Sequence, residues 1–348
     1  MKTRKLPPEE RPRACVIGVG AFGRNHARVY HELAKAGLAD LCGVFDSDAA
    51  RARAAAAEFR VPAFASLEEL LEKVRPQAAS VAVPTVAHLE TARALMHAGV
   101  DVLIEKPLAS NLAEADELIR LAKQGNRIAQ VGQLERFNPA VRAVLPLITR
   151  PMFFEVHRLS VFTPRSLDVD VILDLMIHDL DVVLAFVNSP VKEVRAVGLP
   201  VLTAKVDIAN VRMEFDSGCV ANFTASRVST ERVRKLRFFQ PRQYVSIDYT
   251  RQEALLFDVS GASASNASFA AMEAAGQHPS SPQIKINKPK ISREEPLKAE
   301  LAAFLGSVRN RSAPVVTLED GRRALAAAHE ILAKINEHSR KLNLAAVR

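Results

Sequence analysis

The chain has 348 residues, of which 48% are hydrophobic and 25% charged, with a net charge of +8. At roughly 150 residues per domain this suggests about two domains, and the balance excludes a disordered chain. No apolar run reaches the ~18 residues of a membrane-spanning helix, and the charged, proline-rich start MKTRKLPPEERPR lacks the apolar centre of a secretory signal.

In chain order, residues 14–17 (ACVI) are a short apolar run ending at Gly18. Helical periodicity follows from Arg24 to Ala36, with Gly37 as terminator. A strand is expected at 40–45, closed by Asp46, then an Ala/Arg-rich helix over 48–58. Ser66 and Glu69 form a capping box for a helix through Val74. Strand 79–83 stops at Pro84, helix 87–98 leads to strand 100–104, and Asn111 with Glu114 caps a helix before strand 127–131. Continuous apolar strands alternating with amphipathic helices predict a parallel sheet covered on both faces.

Near residue 132 the pattern changes. Asn138-Pro139 opens a helix, and strands are expected at about 152–161, 191–199, 206–215, 219–226, 231–240 and 243–249. One helix, 170–187, interrupts them. Residues 261–282, rich in Ala, Ser and Gly, read as a mobile loop, and helices near 295–310 and 319–338 close the chain.

Gly18-Val19-Gly20-Ala21-Phe22-Gly23 is a GxGxxG between a strand and a helix, the context in which that spacing marks a dinucleotide site. The first glycine allows the tight turn, the second admits a pyrophosphate, and the third lets helix and strand pack. Asp46 ends the next strand, where a carboxylate accepts from the adenosine ribose hydroxyls and repels a 2′-phosphate. NAD is therefore the expected cofactor, with Arg51 and Arg53 on the following helix able to soften the preference over NADP. The fold class is an α/β Rossmann domain, 1–133, plus an α+β domain with an open, mainly antiparallel sheet, 134–348, the last helix being able to pack back on the first domain.

Glu105-Lys106-Pro107 follows strand 100–104, at the carboxyl end where open α/β sheets bind ligands. A solvated strand end is the bland alternative; a lysine beside a cofactor polarises a hydroxyl. Pro84, Thr85 and His88, beyond the preceding strand, join Glu105 and Lys106 in the expected cofactor set. Segment 169–187, VDVILDLMIHDLDVVLAFV, is apolar almost all round and should be a buried helix. Asp170, Asp174, His178 and Asp181 fall at i, i+4, i+8 and i+11 on one stripe, with Asp179 off it and expected to face solvent. Burying such groups without partners costs several kcal/mol each by order of magnitude, so something polar must face them. For Asp181 the reading is an ion pair with an arginine; for Asp174 and His178 it is a polyhydroxylated substrate. A metal is not expected, since no cluster supplies a third ligand. His26, His31, His97 and His329 lie on amphipathic helices and read as surface or supporting residues, as does His88 apart from its place near the cofactor set.

With GVGAFG, then EKP, then DLMIH, the chain resembles the Gfo/Idh/MocA oxidoreductases over nearly its whole length. The resemblance implies catalytic roles for Lys106 near the nicotinamide, for His178 as proton acceptor and for Asp174, and a cis peptide bond before Pro107. The segment GQLERFNP, 132–139, is similar to those of sugar-nucleotide members, which places Arg136 and Asn138 at a substrate cleft. Arg165, and the basic run Arg227, Arg232, Arg234, Lys235, Arg237 and Arg242, are candidates to meet a diphosphate; an exposed basic sheet edge is the equal alternative for the run.

The expected function is thus an NAD-dependent dehydrogenase of a nucleotide sugar. The alternatives are a dehydrogenase of a free polyol or an NAD-binding regulator. Neither a nucleic-acid nor a membrane partner is expected: there is no Trp and no aromatic-interleaved basic patch. Three cysteines, Cys15, Cys42 and Cys219, form no framework and suggest a reducing, cytoplasmic setting. A half-apolar antiparallel sheet needs cover on its second face, so a homodimer or homotetramer through that sheet is expected.

Overall fold

The first apolar run becomes β1 (Arg13–Ile17), and β2 (Asp40–Phe45), β3 (Ala78–Val81), β4 (Asp101–Glu105) and β5 (Ala129–Gly132) join it in a five-stranded parallel sheet of order β2-β1-β3-β4-β5. The computed structural model describes residues 5–163, 168–260 and 283–341. Between these strands run α1 (Ala21–Lys35), α2 (Ala49–Phe59), α3 (Leu67–Val74), α4 (His88–His97) and α5 (Leu112–Gln124). The two predicted caps form, Ser66 accepting from the Glu69 N–H and Asn111 from the Glu114 N–H, and Asp48, not singled out in the sequence, caps α2 by accepting from the N–H groups of Ala50 and Arg51. β1 and β4 feed apolar side chains into two cores, Cys15, Ile17, Val102 and Ile104 into one, Ala14, Val16 and Leu103 into the other. Each large apolar side chain so buried contributes about 1.5–3 kcal/mol.

The chain divides into two units. The first comprises Met1–Asn138, Ile172–Ala185 and Glu294–Ala333; the second comprises Pro139–Val171, Phe186–Arg293 and Lys334–Arg348. The first therefore holds, besides its sheet, a π-helical turn (Ile172–Met176), most of α7 (Ile177–Val187), α8 (Pro296–Asn310) and most of α9 (Leu318–Lys341). α6 (Pro139–Val144) is the helix that Asn138-Pro139 predicts, and the second unit begins with it.

The second unit contains an eight-stranded sheet: β6 (Phe153–Leu159), β7 (Val191–Leu199), β8 (Ile208–Phe215), β9 (Val220–Ser226), β10 (Val233–Gln240), β11 (Gln243–Asp248), β12 (Glu253–Ser260) and β13 (Gln283–Asn287), in the order β13-β12-β11-β10-β6-β9-β8-β7. Every pair is antiparallel except β6 with β9. β12 and β13 go beyond the expected strands; ALLF in β12 is apolar on both faces and lacks the alternation that marks a half-buried strand. The expected mobile loop, 261–282, lies outside the described residues. Phe154, Val156, Leu236, Phe238, Val245 and Ile247 are buried on one face. On the other, the register lines up Phe153, Phe239, Tyr244, Phe257 and Ile286 across five strands, and the ring centroids of successive aromatic pairs are 5.8, 5.0 and 5.3 Å apart. Among the described residues, no helix is long and apolar enough to cross a membrane.

Candidate active site

The glycine turn sits at the carboxyl ends of β1 and β2. Gly18 has φ +84°, a left-handed conformation, and its N–H donates to the Phe45 carbonyl at 2.8 Å. A Cβ there would lie 2.7 Å from the Ala82 carbonyl oxygen, and one on Gly23 would overlap the Gly18 carbonyl. Gly20 differs: among the described residues, no atom lies within 4 Å of where its Cβ would be. It precedes the first turn of α1, whose N–H groups have no intrahelical acceptor, and the open space beside them suits a pyrophosphate. Ala21 and Phe22 are exposed there. Asp46 is buried; one carboxylate oxygen accepts from Val19 N–H at 2.8 Å and the other from Asp48 N–H at 2.9 Å. Arg51 Nη1 donates to both oxygens as well, at 3.3 and 3.4 Å, so a ribose hydroxyl reaching Asp46 would take the place of that guanidinium. Arg51 stands 3.3 Å from Asp46, so the softening cation is present. Pro84 and Thr85 lie just past β3, in the segment that packs against Gly18. Turn, open helix end and carboxylate together fit a dinucleotide.

The Lys106–Pro107 peptide bond is cis, as expected. Lys106 Nζ donates to the Asp174 carbonyl at 2.7 Å and lies 3.6 Å from Asp174 Oδ1. Both side chains are partly exposed, at 19% and 29%. His178 follows in the first turn of α7, half-buried, with Nδ1 turned inward. The wide π-helical turn that holds Asp174 is a feature often found at functional sites. An ammonium, a carboxylate and an imidazole thus occupy one stretch of the first unit.

Several expected roles change. Asp170 precedes the helix and accepts from Val206 N–H at 2.8 Å, and the π turn breaks the regular stripe. Asp179 is 1% exposed rather than solvent-facing. Asp181 is buried, with Arg136 Nη1 3.6 Å from its Oδ2, the ion pair expected for it. Burial pushes the Asp181 carboxyl up to about 7, against the pull of Arg136. Arg136 therefore turns one nitrogen into the protein, and Asn138 is buried with its amide donating to Glu135 at 3.1 Å, so neither is the simple cleft residue expected. His88 is buried between the carbonyls of Val83 (3.0 Å) and Leu108 (3.3 Å), and burial lowers its pKa; it ties two loops together instead of facing a cofactor. The Glu105 carboxylate likewise points inward, to His26. Arg165 lies outside the described residues. Arg227 is buried, donating to the Val169 carbonyl near Asp207, so the basic run does not form one exposed face. Sequence reasoning missed the buried polar roles of His26, Tyr30 and Ser80; the one available signal was the i, i+4 spacing of His26 and Tyr30 on the inner face of α1.

Residues 13–133 match the oxidoreductase family with an NAD-binding Rossmann fold, and residues 151–245 match the GFO/IDH/MocA C-terminal domain. The chain is 37% identical over 320 residues to a UDP-N-acetylglucosamine 3-dehydrogenase of Acidithiobacillus ferrooxidans, covering 92% of this chain and 96% of that one. A crystal form of that enzyme aligns with a TM-score of 0.83 at 35% identity, over 93% of this chain and 98% of the other. A myo-inositol 2-dehydrogenase of Thermotoga maritima is 26% identical over 331 residues, 90% of this chain and 93% of the relative.

Proposed function

Since this chain belongs to the Gfo/Idh/MocA oxidoreductases, we propose that it is an NAD-dependent dehydrogenase that oxidises the 3-hydroxyl of UDP-N-acetylglucosamine to a keto group. The observation that carries this reading is the placement of Lys106 Nζ on Asp174, with His178 in the next turn, in a chain similar over 92% of its length to a dehydrogenase of that nucleotide sugar. The chemistry that bound NAD supplies is acceptance of a hydride from the carbon bearing the hydroxyl. His178 takes the hydroxyl proton as general base. Lys106 stabilises the negative charge that develops on that oxygen. Asp174 holds the ammonium in place and accepts from a neighbouring hydroxyl. Gly18, Gly20 and Gly23 shape the pyrophosphate turn, Asp46 takes the ribose hydroxyls, and Pro84 and Thr85 border the same groove.

The row of aromatic side chains on one face of the second sheet supports association of like subunits through that face. The functional reading is tested by incubating the protein with NAD and, separately, UDP-N-acetylglucosamine, other UDP-sugars and inositols while following NADH. NADH formation from UDP-N-acetylglucosamine, with UDP alone raising the unfolding temperature, is the expected result. NADH from an inositol alone, with no effect of UDP, would replace it by the polyol reading.

A further inference from the structure

Behind Lys106 lies a buried chain of polar groups that the reaction as described does not use. Tyr30, Ser80 and His26 are 0% exposed and Glu105 is 8% exposed. The Tyr30 hydroxyl is 3.0 Å from Ser80 Oγ, Ser80 Oγ is 2.9 Å from His26 Nδ1, and His26 Nε2 is 3.0 Å from Glu105 Oε1. Glu105 Oε2 accepts from the Lys106 backbone N–H at 3.3 Å.

One proton arrangement uses each hydroxyl hydrogen once. Tyr30, whose phenol burial pushes up and keeps protonated, donates to Ser80. Ser80 donates to His26 Nδ1, which leaves the ring proton on Nε2, facing the carboxylate. That last contact is at ion-pair distance but off the hydrogen-bond line. Gly132 leaves room for the carboxylate, since a Cβ there would lie 2.5 Å from Glu105 Oε1. The serine, histidine and carboxylate are sealed from solvent, which rules out a hydrolytic triad.

We propose that His26 and Glu105, braced by Ser80 and Tyr30, are positioning residues for Lys106: they hold the end of β4 so that the ammonium meets Asp174 and the reacting hydroxyl. The proposal rests on the reading that Lys106 acts on the substrate oxygen. Polar groups this deep cost stability unless paired, and the pairing runs from α1 through β3 to the residue beside the lysine. A shift of that backbone by about an ångström is enough to lower turnover by about a hundredfold.

The test compares wild type with His26→Phe, which removes both ring nitrogens, and His26→Gln, which retains a donor and an acceptor. The readouts are kcat and the KM values for the preferred substrate and for NAD, and the rate at which an amine-reactive ester labels Lys106 in the substrate-free protein, followed by peptide mass spectrometry with the exposed Lys73 as internal reference. His26→Phe is expected to lower kcat by about tenfold or more with KM for NAD unchanged, and to alter Lys106 labelling relative to Lys73. His26→Gln should recover most of both. If His26→Phe does not fold, Glu105→Gln replaces it, with the same expected loss. A folded variant with wild-type kcat and wild-type Lys106 labelling overturns the proposal. Absence of turnover in the wild type would instead count against the dehydrogenase reading, and the labelling comparison would still decide the positioning role.

Discussion

The two sheets treat their second face differently. In the parallel sheet, β3, β4 and β5 are buried at every position, because helices and the buried polar chain cover both sides. In the eight-stranded sheet the pattern of β6 alternates strictly between buried and half-buried. In the first arrangement polar side chains stand at the strand ends: Asp46 just after β2, Glu105 closing β4 and Lys106 just after it. The second carries Phe153, Phe239, Tyr244 and Phe257 in one row, with Phe239 exposed and the other three half-buried. Catalysis is expected to be sensitive to single changes in the first sheet, and assembly to changes on the second.

The largest expected effect is at the strand end of the first sheet. Lys106→Ala or His178→Ala should lower kcat by about 10²–10⁴-fold while NAD still raises the unfolding temperature. Steady-state kinetics and a cofactor titration separate the two quantities. Unchanged kcat in both variants would remove the assignment.

A smaller effect is expected on the open sheet. Phe239 is 39% exposed in the aromatic row. Phe239→Glu combined with Tyr244→Glu should weaken self-association by about 2 kcal/mol or more, shifting the protein toward monomer in sedimentation experiments, with the far-UV circular dichroism retained. A wild-type protein that is monomeric at high concentration would show that the row has another purpose.

The smallest effect is on stability, in the interior of the first unit. Glu300, on α8, is 0% exposed, and neither carboxylate oxygen meets a hydrogen-bond donor among the described residues. Burial, with Glu105 and Asp181 adding to it, raises its pKa well above the usual carboxylate range. A carboxyl raised on folding stabilises below its unfolded pKa of about 4.3 and loses that contribution as pH rises. Glu300→Gln should therefore unfold at a higher temperature than wild type at pH 8, with the gap closing toward pH 4. Asp181, raised to about 7, shares the sign, so Asp181→Asn should flatten the stability profile between about pH 4 and pH 7. A gap that does not change with pH would mean that Glu300 is paired in solution.

Much of this was legible in the residues. β2 falls where expected because its apolar run is bounded by a clear stop at Asp46. The glycine turn was readable because Gly18 and Gly23 answer to backbone contacts that any Cβ would violate. The polar stripe was not: a π-helical turn at 172–176 resets the angle per residue, so spacing alone put Asp170 beside Asp174 and sent buried Asp179 to solvent. Nor was the buried chain readable, since Ser80 sits in an apolar strand and its partners lie 50 and 54 residues away. Pairings of that kind are set by tertiary contact, which local periodicity does not encode.

The most direct test uses UDP-N-acetylglucosamine deuterated at C3 of the sugar. Incubation with NAD should give NADH that carries the deuterium, seen by mass spectrometry, and a 3-keto product. Unlabelled NADH, or label retained on the sugar as turnover proceeds, would contradict the account.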